Sequence, residues 1–116
     1  LYGIFRARMR REGFISVDAP YSGGEFTTPA LEFSGNRLFL DIDGSAGGWL
    51  RVEILHAGGD GVSPFTIKSC DTVRGNSLRK EVTWEGKSDL TAIKDTPIQL
   101  HFVMRSMKLY SFQFSE

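Results

Sequence analysis

Between residues 97 and 114 the chain reads PIQLHFVMRSMKLYSFQF, and apolar and polar side chains alternate along it. Ile98, Leu100, Phe102 and Met104 fall on one side; Gln99, His101 and Arg105 fall on the other. A period of two marks a strand with one buried face and does not fit the 3.6-residue period of a helix. The spacing predicts two strands joined by a tight turn, with Tyr110, Phe112 and Phe114 continuing the apolar face after it.

The same alternation recurs upstream. Leu38, Leu40 and Ile42 alternate with Phe39, Asp41 and Asp43; beyond GSAGG, Leu50, Val52 and Ile54 alternate with Arg51 and Glu53. Read as a hairpin, this pairs Ile42 with Leu50, Leu40 with Val52 and Leu38 with Ile54, and sets Asp41 opposite Arg51 on the polar face. A slip of one residue would bury the charges, so the register is well specified. Shorter strands are expected over 2–10, 14–17, 27–33 and 80–84, where Lys80, Val82 and Trp84 share a face. Pro29 confines the third of these to an edge or a strand start. APYSGGE at 19–25 reads as a loop, SGN at 34–36 and AGGDG at 57–61 as turns, and CDTVRGNS at 70–77 as loop-like. Residues 65–67 are short and irregular, and 89–94 suit one helical turn with Ser88 or Asp89 as N-cap. Eight or nine strands punctuated by turns predict an all-β domain, a two-sheet antiparallel β-sandwich that is jelly-roll-like.

Length and charge narrow the possibilities. The 116 residues form a single domain, 1–116, long enough to bury a core. Fourteen basic and fourteen acidic residues cancel, which argues against nucleic acid as a partner. The local run of Arg6, Arg8, Arg10 and Arg11 reads as the solvated face of a first strand. Cys70, the single cysteine, permits no internal disulfide and leaves the redox compartment open. No apolar stretch reaches the ~18 residues of a membrane span, and no signal peptide is visible. A start at Leu1 rather than Met predicts a piece excised from a longer protein.

Candidate chemistry is sparse. Asp41 and Asp43 share a strand face; such a pair can bind Ca²⁺ or act as acid and base, and it is also the ordinary solvated face of a sandwich. His56 and His101 have no partner at ligand spacing, and one cysteine makes no zinc pattern, so no metal or cofactor is assigned. No G-x-S-x-G elbow is present, and GSAGG lacks the Lys-Ser/Thr and the helix of a phosphate loop, so no catalytic residue is assigned. Trp49 falls at a hairpin end beside Asp43. It either offers an aromatic face to a sugar ring or lies partly buried against a neighbouring loop or domain. Trp84 belongs to the core with Val82.

The segment CDTVRGNSLRKEVTW resembles a pattern D-C-x-x-[IV]-x-G-[DN] followed by V-x-W. That pattern is similar to one in the C-terminal β-sandwich modules of secreted bacterial glycoside hydrolase family 32-like proteins. RREGFISVDA, TTPALEFSGNRLFLDID and the closing PIQLHFVMRSMKLYSFQF resemble further stretches of the same modules, so the likeness runs from about Arg8 to the end. It departs where Ser69 precedes Cys70 and Asn76 stands for the usual Asp. The resemblance implies a non-catalytic accessory module, secreted or extracellular, that packs against the catalytic domain of the same parent chain. The catalytic carboxylates would belong to that other domain. It further implies that Asp71, Arg74, Gly75 and Asn76 are structural: Asp71 and Arg74 satisfying turn groups or each other, Gly75 supplying a positive φ. The alternative is a carbohydrate-binding module contacting an oligosaccharide through Trp49, Asp43 and Asp41.

Overall fold

The computed structural model describes residues 7–9, 14–19, 24–33, 35–93 and 96–115. Those residues form six antiparallel strands and no α-helix. The strands are β1 (Ala7–Met9), β2 (Phe14–Ala19), β3 (Gly24–Thr27), β4 (Arg37–His56), β5 (Asn76–Glu81) and β6 (Ile98–Ser115). They are bonded into one sheet of order β1-β2-β6-β4-β5, with β3 also on β6. The basic run touches the described residues only at Arg8 in β1; Arg6, Arg10 and Arg11 lie outside them. The third strand lies earlier than expected, at Gly24–Thr27, and only Leu31 of the 28–33 segment bridges to a strand, at Ile98.

Both expected hairpins are single strands. β4 runs unbroken for 20 residues, and β6 for 18. They pair with each other on both sides of an interruption at 45–48, so Leu38 faces Phe114, Leu40 faces Phe112, Leu50 faces Met104 and Val52 faces Phe102. Asp41 therefore lies opposite Ser111, not Arg51, and Arg51 donates to Thr72 Oγ1 at 3.0 Å. The reason is one of partners: each apolar residue of β4 finds an equally apolar residue on β6, which an alternation pattern cannot tell apart from a partner within β4.

A straight 20-residue strand would span roughly 66 Å, yet the molecule measures 35 × 26 × 25 Å. The ribbon of β4 and β6 must bend, and it does so where GSAGG was expected to turn. Four residues of β4, 45–48, stand against the single Ser106 of β6, whose φ is +49°. The irregularity is larger than the usual bulge of two residues against one, and the ribbon bends there. Leu38, Leu40 and Ile42 from one half and Leu50, Val52 and Ile54 from the other meet in one buried cluster. Of the turns expected at 34–36 and 57–61, the first is a bend at 35–36, with Ser34 outside the described residues, and the second spans 57–59. Thr91–Ile93 forms a 3₁₀ turn whose first amide is capped by Asp89 Oδ1 at 3.0 Å.

Beyond the bend, the edge of β4 away from β6 pairs with no named strand among the described residues, yet the backbone groups of Leu50, Val52, Ile54 and His56 all find partners there. Leu50 exchanges both backbone bonds with Val73, while Ile54 N–H donates to Phe65 and Ile54 C=O accepts from Val62. At Val52, between them, side chains take over. Val52 N–H donates to Cys70 Sγ at 3.4 Å, and Val52 C=O accepts from Trp84 Nε1 at 3.0 Å. Buried backbone groups must find partners, and here a thiol and an indole supply them.

Candidate functional site

β4 carries Asp41 and Asp43 on its outward face, because Leu40 and Ile42 are committed to the core. The two neighbouring strands both lose register at this level. On β6, Asp41 pairs with Ser111 and Ile42 with Leu109, which leaves Tyr110 as an extra residue. On β5, Leu40 pairs with Lys80 and Ile42 with Ser77, so Leu78 and Arg79 both stand against Asp41. Bulges re-aim side chains. Tyr110 and Leu78 are the exposed large hydrophobic residues of the described chain, at 42% and 87% exposure.

The result is an open groove of about 440 Å³ lined by Asp41, Asp43, Asn76, Ser77, Leu78 and Tyr110. Asn76 is oriented by its own contact: its Oδ1 accepts from Gly44 N–H at 3.0 Å, which leaves Nδ2 as the free donor. Ser77 Oγ accepts from Arg79 N–H at 3.2 Å and retains its proton for donation. Asp41 and Asp43 thus line one groove, as their shared face implies. Trp49 does not join them. It is half-buried on the far side of the bulge, in register with Arg105 of β6.

A second polar cluster lies beyond the bend. His101 of β6 is flanked by β3 and β4, with Glu25 Oε1 2.7 Å from Nε2 and Glu53 Oε1 2.7 Å from Nδ1. The residues are 76 and 48 positions from His101 in the chain, so no local spacing announces them. The carboxylates sit on opposite edges of the ring, where one metal ion cannot reach all three. Among the described residues no group of three His, Cys, Asp or Glu is arranged to hold a metal.

The 70–86 segment is occupied with building its own loop. Asp71 Oδ2 accepts from Thr83 Oγ1 and from Gly86 N–H, and these bonds, the Thr83 hydroxyl first, hold its carboxyl below the usual range. Gly75 has φ +83°. Burial pushes the Cys70 thiol up, and its sulfur is engaged by Val52 and by Asp71 C=O. Trp84 is 1% exposed and edge-on to Phe65. Comparison with protein-family models, with curated proteins and with solved structures yields no match for this chain.

Proposed function

We propose that this chain is a non-catalytic β-sandwich module of a secreted, carbohydrate-active protein, of jelly-roll type, that packs against the catalytic domain of its parent chain. The two halves of the bent sheet serve as the layers of that sandwich. One observation carries the reading. The residues through which the chain resembles glycoside hydrolase family 32-like modules are engaged in architecture: Cys70 and Trp84 complete the edge at Val52, Asp71 ties Thr83 to Gly86, and Gly75 turns the chain. What would be shared with that family is a scaffold rather than a reacting group.

The assay is turnover by the isolated chain on a panel of aryl glycosides, together with the sequence of the parent. No hydrolysis, and a hydrolase domain in the same chain, are expected. Turnover abolished by one carboxylate substitution, or a parent with no such domain, would sink the reading. A second reading, direct glycan contact, is favoured by the aromatic and carboxylate groups that share the groove over Asp41.

A further inference from the structure

We propose that the groove over Asp41 is a carbohydrate subsite in which a sugar ring stacks on Tyr110 while its hydroxyls bond to Asp41, Asp43 and Asn76. The proposal rests on the function proposed above only in taking glycans as the ligand class. Two strands give up regular pairing at one level of the sheet, and the residues released there are Tyr110 and Leu78. Irregularities on both sides of one aspartate flank an open groove in the sheet face. At about 440 Å³ the groove lies within the range of small-ligand sites, ~300–1,000 Å³.

The chemistry of the lining selects the ligand. Asp41, part-exposed, and Asp43, exposed, bring carboxylate acceptors to the groove. Asn76 Nδ2 and the Ser77 proton are donors left over from bonds made on their other side. Tyr110 adds a flat apolar face beside them. A polyol needs all three, since each hydroxyl both gives and accepts while the C–H faces of the ring are apolar. A cation would use the carboxylates and leave the donors idle. An anion would be repelled by two aspartates.

The experiment is NMR titration of the intact chain with soluble gluco-, manno- and fructo-oligosaccharides, and with a lysine–arginine peptide as a cationic probe. Saturable shifts are expected at Asp41, Asp43, Asn76, Leu78 and Tyr110, with Kd on the order of millimolar because the groove is open and the contacts are few. Tyr110→Ala should weaken binding roughly 3–10-fold, and restoring the ring as Tyr110→Phe should rescue most of that loss; Trp49→Ala should leave binding unchanged. Tyr110 lies outside the buried core, so its Ala variant keeps the fold, which its unliganded spectrum verifies. Shifts centred on Trp49 that survive Tyr110→Ala would overturn the groove and leave glycan contact standing. A response to the peptide alone would overturn the ligand class. Flat sugar titrations of folded protein would overturn the subsite and leave the scaffold reading to its own assay.

Discussion

Single residues here do backbone work that their side-chain chemistry disguises. Trp84 is the largest case: it fills the core, meets Phe65 edge-on and donates to Val52 C=O. Trp84→Ala removes all three and should cost roughly 3–5 kcal/mol, read as a shift of the urea midpoint. An unchanged midpoint would contradict its burial. Gly35 is constrained differently. Its φ is +98°, and a Cβ there would lie 2.8 Å from the Ser115 carbonyl carbon. Gly35→Ala should therefore destabilise by more than about 1 kcal/mol, measured by the same unfolding curve. Asp71 and Asp89 have lowered carboxyl pKa values, through Thr83 and Thr91 respectively as the first cause. The unfolded chain binds protons first, so their contribution is present above the ordinary carboxylate pKa near 4 and is lost as pH falls through the folded values. Asp71→Asn should flatten the acid limb of a plot of thermal midpoint against pH; a limb of unaltered steepness would show that Asp71 does not drive it.

At the scale of elements, the phase of β6 is the sensitive quantity. Its buried residues run Ile98, Leu100, Phe102, Met104, then Met107 and Leu109, then Phe112. Each jump of three is a bulge, at Ser106 and at Tyr110. The second jump is what turns Phe112 inward and lays Phe114 on Phe33, with ring centroids 4.3 Å apart. Deleting Tyr110 would put residues 111–115 in the opposite phase, because a one-residue slip reverses every side chain. That deletion should destabilise by roughly 3 kcal/mol or more, whereas Tyr110→Ala, which keeps the count, should be near neutral. Equal midpoints for the two variants would refute the bulge. The β5 edge beyond Leu78 carries Arg79 and Lys80, and Arg79 lies over the Phe39 ring at 4.0 Å. Charges on an edge strand discourage pairing with another chain.

For the whole molecule, stability is concentrated in one ribbon. β4 and β6 contribute most of the core and pair over nearly their full lengths, and the remaining strands attach to their edges. Hydrogen exchange should be slowest at the β4 and β6 amides that face each other and faster in β5, which is bonded on one side only. Comparable protection in β5 would mean that its outer edge is covered in solution. The bend also separates two faces: the groove over Asp41 belongs to one half of the ribbon, and His101 with Glu25 and Glu53 to the other.

The alternation of apolar residues determined the all-β class, the burial of Leu38, Leu40, Ile42, Leu50, Val52 and Ile54, and the core position of Trp84. Those follow from side-chain period and hydrophobicity, which are properties of the chain itself. The outward placement of Asp41 and Asp43 follows in the same way. Which strand pairs with which did not, because β4 and β6 present matching apolar faces and only the assembled core chooses between a hairpin and a bent ribbon. GSAGG looked like a turn because glycines suit turns and wide bulges alike. Tyr110 looked like a core residue because it shares a period of two with Phe112 and Phe114, and a bulge is invisible until its partner strands are in place. His101 looked solitary because Glu25 and Glu53 reach it across strands, 76 and 48 positions away. Periodicity reports what each residue needs; the tertiary structure decides which distant residue meets that need.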